Sequence, residues 1–292
     1  MSMALKEIKN RIKAANNIRQ ITKAMKLIAS IKLKKIQKTF FPFKTYLSSI
    51  KEILNLLLRN HDFLIMMNSL EYFKERNADK KIVVIISSDK GLCGAYNTNL
   101  FNFFEKKYNK NKVKLITVGK KAYFYFSKRN YTILGNFEKI PDVPTFEFCR
   151  KINEFVISAY KDNKDANSVE VVYTKFINSI RYQPDVEKVL PLLNLKSDDK
   201  EKIEKTVDHF LFEPSLEVIG NYIIELYVDS LIYKLLVEAK LSEFSARFSA
   251  MNTATDNAEK LIKDLKLLFF KQRQESITKE LLEISAGVEA LK

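Results

Sequence analysis

The sequence is poor in residues that interrupt helices and poor in residues that do hydrolytic or metal chemistry. Six glycines and six prolines serve 292 residues, and they are unevenly placed. No glycine precedes Gly91, and Pro42 is the only proline before Pro141; beyond Pro214 there is no proline, and Gly220 and Gly287 are the only glycines. Breakers are thus confined to the middle, and the chain reads as helix, mixed domain, helix. The two cysteines, Cys93 and Cys149, have no C-x-x-C partner. They exclude a disulfide framework and a thiolate zinc site and favour a reducing compartment. His61 and His209 lie far apart without a ligand-like neighbour pattern, so no cofactor or metal is expected. No stretch approaches the ~18–20 uninterrupted apolar residues of a membrane span.

What is abundant is apolar side chain and positive charge. With 46% hydrophobic residues, including 21 Phe and 13 Tyr, the chain can build a real core and cannot be disordered throughout. Residues 1–40 hold eleven Lys/Arg against the single acid Glu7, a net +10 of the chain's +15. A uniformly basic composition would have spread that charge. Transit peptides are basic and amphipathic, but the apolar spacing here continues far beyond a cleavable segment. An AT-rich coding bias accounts for Lys over Arg but not for the missing acids. A solvated helix face is the plainest reading of such a run.

Leu5, Ile8, Ile12 and Ala15 step by three and four, as do Ile18, Ile21, Met25 and Ile28. After a slip in phase the rhythm continues from Leu33 through Ile36, Phe40, Phe43, Leu47, Ile50, Leu54 and Leu57. This is a coiled-coil stripe, and it predicts one helix over 4–57, about 80 Å long at ~1.5 Å per residue, kinked at Pro42. Pro214 and Ser215 signal a second long helix, 215–290, whose stripe runs Met251, Ala254, Ala258, Leu261, Leu265, Leu268 and resumes at Ile277, Leu281 and Ile284. Neither stripe is stable exposed, so the helices are expected to pair antiparallel, the longer C-terminal one projecting past its partner. The middle shows strand-like runs at 81–88, 113–119, 131–134, 169–176 and 186–192, with helices at 98–109, 120–129 and 145–161. That alternation predicts a mostly parallel α/β sheet. The expected organisation is a helical element over 1–60, an α/β domain over 78–208 and a helical element over 210–292.

The most motif-like segment is S-S-D-K-G-L-C-G-A-Y-N-T-N, residues 87–99, between a strand and a helix expected to be capped by Asn97 or Thr98. Gly91 and Gly94 match neither the dinucleotide nor the Walker spacing, so a structural turn is the better reading than a phosphate cradle. A basic helical arm could grip nucleic acid, which stands as the alternative function. A nucleic-acid arm, however, would lack the apolar stripe that here shares residues with the charge.

Four segments carry a resemblance. A-L-K-E-I-K-N-R-I-K-A-A-N-N-I-R-Q-I-T-K-A-M-K-L-I-A (4–29) closely resembles the opening helix of the γ subunits of F-type ATP synthases, and S-D-K-G-L-C-G-A-Y-N-T-N-L (88–100) resembles their central signature. S-A-R-F-S-A-M-N-T-A-T-D-N-A (245–258) and R-Q-E-S-I-T-K-E-L (273–281) resemble their C-terminal helix. The resemblance implies an α/β fold: a long antiparallel coiled coil with a small Rossmann-like foot. It implies a rotor shaft that couples ion flow through the membrane c-ring to ATP synthesis, or hydrolysis to pumping, with α, β, ε and the c-ring as partners. Catalytic residues and nucleotides would belong to α and β. By motif, Lys23, Met25, Lys26, Arg247, Gln274 and Thr278 would face β, and Phe210, Phe212 and Glu213 the c-ring. Phe248 and Asn252 depart from the family's commoner Met and Lys. The implied location is peripheral, on the cytoplasmic face of a bacterial plasma membrane, with a mitochondrial matrix face as the lesser alternative.

Overall fold

A computed structural model describes residues 3–58, 60–70, 72–192 and 213–290. The elements run α1 (Met3–Leu57), α2 (His61–Ser69), β1 (Lys80–Ile86), α3 (Tyr96–Lys107), a 3-10 turn (Lys110–Lys112), β2 (Val113–Val118), α4 (Lys120–Ser127), β3 (Ile133–Phe137), α5 (Phe146–Asp162), β4 (Ala166–Phe176), β5 (Tyr182–Leu190) and α6 (Leu216–Ala290). They fall into two compact units: Met1–Ser30 with Arg247–Lys292, and Ile31–Ala246. Both long helices are present, α1 running through Pro42. At the start of α6, Val218 N–H donates to Ser215 Oγ at 3.3 Å, so the predicted start signal acts as a cap.

In the second unit a five-stranded sheet has the order β3-β2-β1-β4-β5. The first four strands are parallel and β5 closes the edge antiparallel to β4. Five strands were expected, but β5 begins at Tyr182, four residues earlier than the apolar run, because its Tyr182–Val186 half pairs with Val172–Phe176 while remaining partly exposed. An edge strand half in water carries no continuous apolar run to betray it. One sheet face packs Val83, Ile85, Leu115 and Val172 against Leu100, Phe104 and Phe126 of α3 and α4. Aromatic rings meet within that layer, Phe101 stacked on Tyr125 at 4.4 Å and Phe104 edge-on to Phe126 at 4.9 Å.

Helix α6 is buried all round from Leu235 to Ala246, which accounts for the apolar density of its first half. Tyr96 Oη donates to Ala239 O at 3.1 Å, Ser242 Oγ donates to Thr174 O at 2.9 Å, and Glu238 accepts from Phe176 N–H at 3.2 Å. Its charges are neutralised locally, Lys234 with Glu238 and the buried Lys240 with Glu243 at 2.9 Å. The short helix α2 escaped the sequence reading, since nine residues are too few to show a period. Asn60 caps it by accepting from Phe63 N–H at 3.1 Å, and Phe63 and Met67 are fully buried.

In the first unit the start of α1 and the end of α6 run antiparallel: Lys26 lies over Phe248, Thr22 meets Thr255, and Arg19 faces Glu259. Here the seam differs from the expectation. A continuous row of buried and half-buried positions runs 5, 8, 12, 15, 19, 22, 26 and 29, and in the second unit α1 carries it on at 33, 36, 40, 43, 47, 50, 54 and 57. Steps of three and four alternate throughout, so there is no slip in phase. The slip arose from following the apolar residues Ile18, Ile21 and Ile28, all of which are exposed. On α6 the seam likewise passes through Thr255 and Ile262 rather than Ala254 and Leu261, and residues 277–287 are all exposed, as a projecting end requires.

Glu170 on β4 is buried, accepting from Lys81 Nζ at 2.6 Å and from Tyr108 Oη. Burial pushes its carboxyl up, but these two bonds with the Lys81 and Lys107 charges outweigh it, and the pKa falls below the usual value. A depressed carboxyl stabilises the fold above its unfolded pKa and loses that contribution as pH falls through the folded value. Glu170→Gln is therefore expected to cost about 1–3 kcal/mol at pH 7. In denaturant titrations the gap between wild type and variant should close on the acid side of the carboxylate range; a gap that is constant with pH would refute the assignment.

Candidate functional site

The signature segment 87–99 leaves the end of β1 as a turn that side chains hold closed. Ser87 Oγ accepts from Ala122 N–H at 2.9 Å and donates to Gly119 O at 3.2 Å. Gly119 has φ 107°, and a Cβ there would lie 2.4 Å from Ser87 O, so only glycine fits. Asp89 accepts from Lys120 N–H at 3.0 Å and from Ile140 N–H at 2.8 Å, placing a carboxylate on the first amide of α4. No spacing rule links residue 89 to residue 120, so this cap was not legible in the sequence.

Asn97 does not cap α3 as expected; the helix begins at Tyr96 with Ala95 at its cap position. Its carboxamide instead ties the turn together, donating to Ser88 Oγ at 2.8 Å and to Cys93 Sγ at 3.4 Å and accepting from Ser88 N–H at 3.2 Å. Leu92 and Gly94 take positive φ, 61° and 58°. Cys93 and Tyr96 then pack on Ala246 of α6. The segment is a joint between sheet and helix, its groups committed to one another.

Five of the six residues implied to face β are accessible to some degree, and all six lie in the first unit. Lys23, Gln274 and Thr278 are exposed, Met25 and Lys26 half-buried, and Arg247 is buried within the chain. Lys26 Nζ sits 5.9 Å from the Phe248 ring centroid, which gives the departure at 248 a local role as a cation–π platform. Asn252 donates to Asp256 at 3.2 Å. Thr278 Oγ donates to Gln274 O at 2.9 Å on its own helix, leaving the Gln274 side chain outward. Glu213 is exposed in the second unit; Phe210 and Phe212 lie outside the described residues, as does the expected boundary near residue 209.

The surface of the first unit is unusual in what it exposes. Ile21 is 59% exposed, Leu27 63%, Leu267 70% and Leu281 61%, among alternating lysines. The seam between the helices holds the small or polar Ala15, Thr22, Ala29, Thr255 and Ala258 beside Leu5, Ile8, Met251 and Ile262. Such a pair fills much of its seam with small residues and leaves many large ones in water, unlike a coiled coil that works alone.

The family profile for ATP synthase matches residues 4–291. The chain is similar to the ATP synthase gamma chain of Mycoplasmopsis pulmonis, 37% identical over 97% of this chain and 98% of that one. It is likewise similar to the gamma chain of Halothermothrix orenii, at 36% over 99% of each.

The chain belongs to the ATP synthase γ-chain family.

Among solved structures, the central stalk of the Tetrahymena thermophila mitochondrial ATP synthase resembles it with a TM-score of 0.63 and 26% identity, covering 80% of this chain and 99% of that one. A chain of the Euglena gracilis mitochondrial ATP synthase shares the fold, with a TM-score of 0.69 and 20% identity over 99% and 94%. The chain is thus a subunit of the ATP synthase, the part that forms its central stalk, and a peripheral part of that membrane-bound complex; no helix among the described residues is long and apolar enough to cross a membrane. A nucleic-acid-binding coiled coil finds no support among these relatives.

Thr255 Oγ donates to Thr22 Oγ at 2.9 Å, and Thr22 donates to Arg19 O at 3.1 Å. This buried link crosses the seam of the γ-family helix pair. Thr22→Val and Thr255→Val are each expected to cost about 1 kcal/mol, because each removes the cross-seam bond and leaves the other hydroxyl only the carbonyl on its own helix, Met251 O at 2.7 Å for Thr255 and Arg19 O for Thr22. The double variant should cost less than the sum, by at least ~0.5 kcal/mol in a denaturant-unfolding cycle. Strict additivity would show that the two hydroxyls do not interact.

Proposed function

We propose that this chain is the rotor shaft coupling ion flow through the c-ring to ATP synthesis, or hydrolysis to pumping, at the α and β subunits. The observation that carries the reading is the exposed apolar flank of the first unit, where Ile18, Ile21, Leu27, Ile28, Leu267 and Leu281 lie outside a seam made largely of small and polar residues. A shaft whose apolar flank faces outward suits an enclosing sleeve that supplies the missing burial, and its lysines suit acidic segments presented by that sleeve. Non-directional attraction of this kind can pass from one β subunit to the next as the shaft turns. Lys23, Met25, Lys26, Arg247, Gln274 and Thr278 are the residues we assign to β, and Glu213, with Phe210 and Phe212, to the polar loops of the c-ring beside ε. The chain has no catalytic residues of its own in this reading, takes no cofactor, and works on the cytoplasmic face of a bacterial plasma membrane.

Magnitudes support a distributed coupling. Moving a two-state site from about 1:99 to 99:1 needs roughly 5.5 kcal/mol of differential interaction. A single charge-assisted hydrogen bond contributes about 1.5–3 kcal/mol. No single contact suffices, and Thr278 already spends its hydroxyl proton on Gln274 O. Gln274→Ala or Thr278→Ala alone should therefore leave ATP-driven rotation within about twofold of wild type; loss of coupled synthesis by either change in a normally assembled complex would contradict the assignment. Glu213→Lys should impair proton pumping by the membrane-bound enzyme yet leave hydrolysis by the soluble α, β and γ complex near normal. Loss of soluble hydrolysis would place Glu213 elsewhere than at the c-ring.

A further inference from the structure

At the N-terminal ends of β1, β2 and β3, the sheet end opposite the signature turn, lies a cavity of about 190 Å³. Lys80, Lys110, Lys114, Asn111, Asn130 and Thr132 line it with Val113, and no carboxylate among the described residues does. The larger cavity along α5 and α6 is different, with Glu154, Glu225 and Asp229 on its wall. The three ammonium groups are held in place. Lys114 donates to Asn163 Oδ1 at 2.7 Å and Asp165 Oδ1 at 2.8 Å, Lys80 reaches Asp165 Oδ2 at 3.1 Å, and Lys110 Nζ lies 5.6 Å from the Tyr131 ring centroid. One carboxylate, Asp165, thus answers two ammonium groups while the third has none among the described residues, and Lys112 stands exposed on the same 3-10 turn as Lys110.

We infer that this cavity binds a phosphate group. Ammonium, carboxamide and hydroxyl groups all donate, the excess charge is positive, and a tetrahedral oxyanion accepts from several directions at once. Its volume is below the ~300–1,000 Å³ of sites that take whole small molecules, a size suited to one phosphate or diphosphate group. Nucleotide-binding sheets use the crevice at the C-terminal ends of their strands, so this site is not the one the topology ordinarily supplies. The phosphate could come free in solution or on the headgroup of an anionic lipid, and both present the same oxygens.

Two variants test it on the full chain. Lys110→Gln removes one ammonium, and Asn130→Asp adds a carboxylate at nearly unchanged volume, at a residue with φ 55° where Asp is also tolerated. The probes are inorganic pyrophosphate by calorimetry and flotation with phosphatidylcholine vesicles with and without phosphatidylglycerol. Saturable pyrophosphate binding weakened at least tenfold by each variant supports the site with free phosphate as its source. Binding only to the phosphatidylglycerol vesicles, weakened likewise by both variants, supports it with a lipid headgroup as the source. Failure to bind either probe, or binding that neither variant weakens, overturns it. So does variant-sensitive binding of a single-stranded oligonucleotide that is tighter than that of pyrophosphate, since that marks a groove for nucleic acid instead of a phosphate-sized site.

Discussion

The hydrogen bond from Thr255 to Thr22 stands for the constraint on which the rest of the helix pair depends: the seam must be thin. Small residues let two helices approach closely, and hydroxyls keep a polar seam satisfied at that separation. Each alanine forgoes the ~1.5–3 kcal/mol that a buried leucine would supply. Buried Ala15, Ala29 and Ala258 therefore make the pair slender at the expense of its own stability, while Ile18, Ile21 and Ile28 stay exposed, open to the sleeve proposed above. Binding of a sleeve then restores what the seam gave up, which couples the shaft's stability to its assembly.

The second unit answers the opposite demand. Its stretch of α6 is wrapped on every side, and the signature turn, the β4 strand end and two internal ion pairs all fasten to it. A helix so enclosed has little freedom to slide against its sheet. Asp89 and Asn97 explain why a glycine-containing turn after a strand, which looks like a phosphate cradle, is a mechanical joint: its donors and acceptors are consumed by Ser88, Cys93, Lys120 and Ile140.

Much of this was legible in the sequence. Confinement of Gly and Pro to the middle gave the helix–sheet–helix order, and the apolar strand runs gave a mostly parallel sheet. The seam of the first unit was misread for a physical reason. Periodicity reasoning assumes that large apolar side chains face the partner helix, and here Ile18 and Ile21 face away while Thr22 and Lys26 occupy the heptad positions. A chain whose partner lies outside it breaks that assumption, and the uninterrupted three-four spacing from Leu5 to Leu57 is the signal that could have shown it. Long-range ties such as Asp89 to the first amide of α4 leave no local signature. The roles proposed for Lys23, Gln274, Thr278 and Glu213 rest on the resemblance alone, because exposed polar residues, on a helix or just before one as Glu213 is, carry no periodic mark of their own.

If the two helices of the first unit turn as one body inside the ring, fastening them together should cost nothing. Thr22 and Thr255, whose hydroxyl oxygens are 2.9 Å apart, are placed to be replaced by cysteines and oxidised to a disulfide. Single-molecule rotation of the assembled α, β and γ complex should then proceed at the same rate with the bond closed as with it reduced. Rotation that stops on oxidation and returns on reduction would contradict a shaft that moves as a single rigid pair.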